Sequence, residues 1–321
     1  MTRTSLDDAL WASLMLTMQQ IPHAWKRDEA ALRRFVEAAL WVCRTGAPWR
    51  DLPDELGRWP SVYHRFRRWS VRGWWELVFE ALRPALPADG LVLLDSTTCK
   101  AHRAASGAAR SNAEAECLGR SRGGICSKLH ACADGAGRIL RLVPSPGQHS
   151  DLRYAPALAS GIPARDAALD RGYVSAKLRA AFAADGCAVH TPPKLGMVDP
   201  PPWNQAIYAR RHHVENLFSR LKDWGRIALR RDKTRRSWMG FAHLAATLWD
   251  CPGSVDGLLA YGLRFDHDGL HVGFIGHGRA VAQSRMQPHR VIPALDVAEA
   301  GHLGLSLRRE PATAEQFGFE R

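Results

Sequence analysis

Between Tyr208 and Lys222 the chain reads Tyr-Ala-Arg-Arg-His-His-Val-Glu-Asn-Leu-Phe-Ser-Arg-Leu-Lys. On a helix turning about 100° per residue, Val214, Leu217, Phe218 and Leu221 form one apolar stripe. Tyr208, Arg211, Glu215 and Lys222 then lie close together beside it. The spacing therefore predicts one helix edge carrying a phenol, a guanidinium, a carboxylate and an ammonium. Alone, that edge reads more simply as a solvated face with an i, i+4 ion pair.

Two aspartates upstream change its meaning. Leu91-Val92-Leu93-Leu94-Asp95 and Asp166-Ala167-Ala168-Leu169-Asp170 both read as strands ending in Asp. A helix packed across those strand ends brings Glu215 to Asp95 and Asp170. Three converging carboxylates repel one another and raise each other's pKa unless a cation joins them. Mg²⁺ takes oxygen ligands and keeps several waters, so two or three carboxylates suffice. Two such ions about 3.5–4 Å apart activate an attacking oxygen and stabilise a leaving one at phosphorus. Arg211 and Lys222 are expected to hold DNA phosphates, and Tyr208 to help position the substrate, all three with little bearing on stability.

The elements that must position these groups follow in order. Lys128–Ala133 and Ile139–Val143 read as strands joined by the turn Asp134-Gly135-Ala136-Gly137. Asp151 is expected to cap a helix running to Ser160, and Ser175 another to Ala184. Cys187–His190 is a last strand. Strand, hairpin, helix, strand, helix, strand, helix suits a mixed sheet with helices on both faces. Residues 101–124 read as a loop.

Ahead of the sheet, residues 1–88 read as helices, with Leu6, Leu10, Leu14 and Met18 on one apolar face. Asp28 is expected to cap a second helix and Ser61 a third. Arg65, Arg67, Arg68 and Arg72 stud the third, which resembles a helix-turn-helix reader of duplex DNA. Pro84-Ala85-Leu86-Pro87 is the expected boundary of this all-α domain. The net charge is +12, and all twelve tryptophans lie before residue 251. A basic, aromatic-rich body suits a polyanion, most simply double-stranded DNA. An arginine-rich proteome gives the same composition.

No apolar run is long enough to span a membrane, the start does not read as a secretory signal, and the seven scattered cysteines include no Cys-x-x-Cys pair. The chain is therefore expected to be cytoplasmic, with reduced thiols, and nucleoid-associated if its basic body binds DNA.

The spacing Tyr208-(2)-Arg211-(3)-Glu215-(6)-Lys222 resembles the signature of bacterial DDE transposases of the IS-five insertion-sequence family. Leu94-Asp95-Ser96-Thr97 and Leu169-Asp170-Arg171-Gly172-Tyr173 resemble that family's two aspartate segments. Arg44–Pro53, Gly119–Gly124 and Pro146-Gly147-Gln148 are similar to it as well. The resemblance spans roughly residues 5–250. It implies an RNase H-like catalytic domain over residues 89–250, two Mg²⁺ or Mn²⁺ ions held by Asp95, Asp170 and Glu215, and cleavage of element ends. The freed 3′-hydroxyls would then join to target DNA, the enzyme acting as an oligomer on paired terminal repeats. Val174 stands where the family often has Asp. A retired, non-catalytic DNA-binding regulator and an RNase H-like endonuclease remain alternatives.

Residues 251–321 depart from the pattern. They hold seven arginines, no lysine, no tryptophan and eight carboxylates, net −1, which leaves +13 before them. Their histidines, His267, His271, His277, His289 and His302, match no common ligand spacing. This tail is expected to be disordered or an accidental extension.

Overall fold

Helix α1 (Asp8–Gln20) buries Trp11, Leu14, Met15 and Met18, and Leu6 is buried just ahead of it. Helix α2 (Glu29–Thr45) starts as expected, with the Asp28 carboxylate accepting from the Ala31 N–H at 2.9 Å. It ends at Gly46, whose φ of 70° is the left-handed cap that glycine adopts without strain. A Cβ on Gly46 would lie 3.0 Å from the Gly225 carbonyl carbon, and one on Gly225 would lie 2.8 Å from the Gly46 nitrogen. Backbone therefore rests on backbone where α2 meets α9 (Gly225–Ala228).

Helix α3 (Trp59–Val71) corrects one expectation. It begins before Ser61, with Pro60 in its first turn and no side-chain cap at Arg58. The fixed φ of proline suits that turn, and its missing N–H costs nothing there. Helix α4 (Trp74–Leu82) follows directly. Phe35, Phe66, Trp69 and Trp75 interlock, with Trp69 and Trp75 4.9 Å apart at their ring centroids.

The computed structural model describes residues 6, 8–24, 28–84, 87, 89–107, 112–249, 261–266 and 269–274. After the helices comes a mixed sheet of seven strands: β1 (Leu91–Ala101), β2 (Gly119–Ser121), β3 (Gly124–Asp134), β4 (Ile139–Pro146), β5 (Asp166–Leu169), β6 (Ala188–His190) and β7 (Leu229–Arg230). β1, β3 and β4 run antiparallel, while β5 and β6 continue the sheet parallel to β1. Strand β1 extends well past Asp95, which lies mid-strand instead of at a strand end. The ladder explains this: Ser96–Lys100 pair with Cys126–His130 of β3 after β5 has left.

Alternation along β1 splits the core between two faces. Leu91, Leu93 and Cys99 face the helical layer, with Leu129, Ala131 and Ala133 of β3. Val92 and Leu94 face α5 (Ala155–Ala159) and α6 (Ala176–Ala184), through Leu158, Leu178 and Phe182. Ser175 caps α6 as expected, accepting from the Leu178 N–H. Asp151 does not cap a long helix. It lies in a single 3-10 turn, and Pro156 helps confine α5 to one short segment. The Arg141 guanidinium holds that segment through the Ala157, Leu158 and Ser160 carbonyls.

Helix α10 (Arg235–Trp249) returns to the N-terminal helices, where Trp238, Phe241, Leu244 and Ala245 are buried. Phe241 stacks 4.2 Å from Phe66 at the centroids and 5.8 Å from Trp49. Residue 88 therefore does not divide two hydrophobic cores: α1–α4, one sheet face, α8 (His212–Leu221) and α10 share one. In the tail, β8 (Tyr261–Asp266) and β9 (Gly269–Phe274) pair as an antiparallel hairpin, a regular element the sequence pattern did not suggest. The rest of the tail, with His267, His277, His289 and His302, lies outside the described residues.

Candidate active site

The site forms at a notch in the sheet. β5 leaves β1 at Leu94–Leu169, and β7 joins β1 only at Lys100–Leu229. Among the described residues no strand pairs with that side of Asp95–Cys99. Asp170 directly follows Leu169, so parallel register sets it beside Asp95. Its carboxylate accepts from the Arg171 N–H at 2.5 Å as the chain turns away, and Asp95 accepts from the Ser96 N–H at 2.8 Å.

Glu215 arrives on α8, whose Val214, Leu217, Phe218 and Leu221 are buried in the core shared with β1, as the periodicity predicts. The helix is shorter than expected, however. The chain breaks between α7 (Gln205–Ala209) and α8, at Arg210 and Arg211. There the backbone tightens to i, i+3 bonds from His213 to Arg210 and from Val214 to Arg211. The two arginines go to different partners. Arg210 pairs with Asp89 at 2.5 Å and donates to the Gly135 carbonyl.

Arg211 turns inward, toward the three carboxylates. Its side chain is 10% exposed, and one guanidinium meets all three carboxylates. Nη2 donates to Asp95 at 2.9 Å and to Glu215 at 2.8 Å, while Nη1 stands 3.6 Å from Asp170. The acids are increasingly open, from 17% side-chain exposure at Asp95 to 50% at Asp170 and 60% at Glu215. The site thus has a closed floor at β1 and a wet rim at α8. Burial raises the Asp95 pKa; Arg211 and the Ser96 N–H oppose this, while Asp170 and Asp151 add to it.

The remaining site residues lie around this centre. Tyr208 is half-buried, edge-on to Trp203, with the Arg211 guanidinium carbon 5.8 Å from its ring centroid. Lys222, at the end of α8, is exposed. On α3, Arg67, Arg68 and Arg72 are exposed, but Arg65 is half-buried, its guanidinium 4.4 Å from the Phe35 ring centroid and 5.6 Å from that of Trp69. Burial lowers the Arg65 pKa.

Sequence reading missed a neighbouring group. The Asp151 carboxylate, held by Lys128 at 2.9 Å, is close enough to raise the Asp95 pKa. The buried Tyr173 hydroxyl has no hydrogen-bond partner, and burial pushes its pKa up, with further contributions from Asp151 and Asp95. Pro146-Gly147-Gln148 was the available signal. A Cβ on Gly147 would overlap the buried Cys126 Sγ and lie 3.1 Å from the Cys126 carbonyl oxygen, so glycine fits best where the chain turns from β4 toward Asp151.

A set of oxygen donors gathered about one cation has the chemistry that suits Mg²⁺ or Mn²⁺. With Arg211 between the acids, no three His, Cys, Asp or Glu side chains among the described residues stand as a preformed metal cage.

Known transposase families match both the N-terminal helices and the sheet region of the chain. Residues 87–249, more than half of the chain, match the family described as "Transposase DDE domain", and residues 6–79 match "Putative transposase of IS4/5 family". The chain belongs to the DDE transposases of insertion sequences. It is 36% identical over 135 residues to the "Putative transposase for insertion sequence element IS6501" of Brucella ovis, spanning 39% of this chain and 98% of that protein. It is 38% identical over 78 residues to the uncharacterized protein y4sN of Sinorhizobium fredii, 24% of this chain and 62% of that one. An uncharacterized 16.2 kDa protein of insertion element IS402 from Burkholderia cepacia is 30% identical over 94 residues, 27% of this chain and 64% of its own length. No described helix is long and apolar enough to cross a membrane.

Proposed function

We propose that the chain binds the terminal repeats of an insertion sequence, cleaves the DNA there and joins the freed 3′-hydroxyl ends to target DNA. The observation that carries this reading is the meeting of Asp95, Asp170 and Glu215, from two strands and a helix, on one cationic group. The strand order β4-β3-β1-β5-β6, antiparallel and then parallel, supports an RNase H-like assignment.

Asp95, Asp170 and Glu215 would hold two Mg²⁺ or Mn²⁺ ions. Bound there, the ions would polarise the attacking and leaving oxygens at phosphorus. The Ser96 and Arg171 N–H groups fix the two aspartates, so rigid strands aim the carboxylates. The closed floor at β1 limits water to the rim. Exposed Lys222 would hold a DNA phosphate, and Tyr208 would help position the substrate. Paired ends would require an oligomer, working in the cytoplasm on the nucleoid.

The test is incubation of purified protein with DNA carrying the inverted repeats that flank its gene. Joined products support the reading. Cleavage without joining points to an endonuclease, and binding alone to a regulator.

The exposed face of α3 is the proposed duplex contact. If Arg67, Arg68 and Arg72 each neutralise one phosphate, replacing all three by Ala flattens the log K against log salt slope by about 3 units. An unchanged slope in a fluorescence titration returns them to solvated surface. Arg65 packs on Phe35 and Trp69, so Arg65→Ala is expected to act mainly on stability.

Residues 251–321 remain, in this proposal, a dispensable extension. A chain ended after residue 252 is expected to fold, bind and transfer strands as the full chain does. Insolubility on truncation, or a protease-resistant tail fragment, would show a structural part.

A further inference from the structure

We propose that Arg211 is the resident counter-ion of the carboxylate triad and that it exchanges with the divalent metal. The inference rests on the metal-dependent reading of the site and adds a step to it: the arginine must leave before the metal can be fully ligated.

Four observations carry it. One guanidinium nitrogen already bridges Asp95 and Glu215, at 2.9 and 2.8 Å, while the same group reaches Asp170 at 3.6 Å. A Mg²⁺–oxygen bond is about 2.0–2.1 Å, so the carboxylates must close in to share a metal. The guanidinium stands in the way of that closure. Secondly, no three His, Cys, Asp or Glu side chains among the described residues lie close enough together to hold a metal, so the triad stands apart as it is. Thirdly, Arg211 is not fully satisfied: its Nε is buried with no hydrogen-bond partner, a cost that leaving would relieve. Fourthly, it sits at the junction of α7 and α8, where its N–H donates to the Tyr208 carbonyl and its own carbonyl accepts from Val214, so the exchange needs only side-chain rotation on a fixed backbone. The Tyr208 ring already lies 5.8 Å from the guanidinium carbon at its centroid, a contact that can hold a cationic group without the carboxylates.

Charge sets the order of events. Without metal, one positive group offsets three negative ones, and the triad stays assembled. A divalent ion supplies more charge at the same oxygens and makes the arginine redundant there. Released, Arg211 can meet a DNA phosphate, so substrate and metal both favour the outward position. Arg211 is a positioning residue for the triad in one state and a substrate contact in the other.

The experiment is calorimetric titration of the DNA-free full-length protein with Mn²⁺, beside thermal melting in EDTA and in Mn²⁺. Arg211→Gln, which removes the charge and keeps a polar side chain, is expected to bind Mn²⁺ at least tenfold more tightly than wild type. Its melting temperature is expected to fall in EDTA and to recover in Mn²⁺ by more than the wild type gains. Equal or weaker Mn²⁺ affinity in Arg211→Gln would overturn the exchange and make Arg211 a fixed structural partner. If that variant folds too poorly to titrate, Arg211→Lys decides. Its one nitrogen, on a shorter stem, cannot occupy both the Nη1 and the Nη2 positions, so it should bind Mn²⁺ at least threefold more tightly than wild type, and an unchanged affinity overturns the proposal. Asp95→Asn separates the two layers of argument. If it leaves Mn²⁺ binding unchanged, the metal reading of the triad fails; if it abolishes binding while Arg211→Gln gains none, the exchange alone fails.

Discussion

Asp95→Asn, Asp170→Asn and Glu215→Gln are each expected to reduce DNA cleavage by about a thousandfold or more, about 4 kcal/mol in the barrier, while binding of the element ends survives. Each change replaces a charged oxygen with a neutral amide of nearly the same shape. The floor of the notch, the β1–β5 register and the packing of α8 do not depend on that charge. What is lost is the oxygen set that would position the catalytic cation. A gel assay with labelled terminal-repeat DNA reads both binding and cleavage, and wild-type cleavage in any one variant removes that residue from the site. Melting curves check that the fold is kept, since each variant also takes a partner from Arg211.

Phe241→Ala is the second large effect, and it falls on stability. Phe241 is fully buried on α10, stacked on Phe66 and against Trp49, in the core shared by the N-terminal helices and one sheet face. Removing a ring from such a site costs about 3–5 kcal/mol. Because that core crosses residue 88, the helices and the sheet are expected to lose stability together. Urea unfolding followed by tryptophan fluorescence, which reports mainly on the helices, and by far-ultraviolet dichroism should shift as one transition. A shift confined to fluorescence would mean that the helices unfold separately.

Much of the site's neighbourhood was legible because it rests on local rules. Asp28 and Ser175 cap the helices they precede, and Val214, Leu217, Phe218 and Leu221 make the buried stripe of α8. The errors lie where long-range partners decide. Asp95 looked like a strand end because the apolar run stops there, but polar Ser96–Lys100 continue the strand by pairing with β3. The periodicity from Tyr208 to Lys222 concealed a break, because adjacent Arg210 and Arg211 are drawn to Asp89 and to the triad. Nothing local marks Arg211 as inward, or Arg65 as packed on Phe35. Asp151 read as a helix cap because its partner Lys128 lies on a distant strand. The return of α10 into the first helices is likewise a matter of tertiary packing, invisible to pattern.

The central claim is that three distant segments form one metal site, and iron-directed backbone cleavage tests it most directly. Fe²⁺ loaded in place of Mg²⁺, with ascorbate and peroxide, generates radicals that cut the chain near the metal. Cuts are expected to cluster around Asp95, Asp170 and Glu215 and to be suppressed together by excess Mg²⁺ and by Asp170→Asn. Cuts confined to the histidine-bearing tail, or cuts at these segments that Asp170→Asn leaves unchanged, would contradict it.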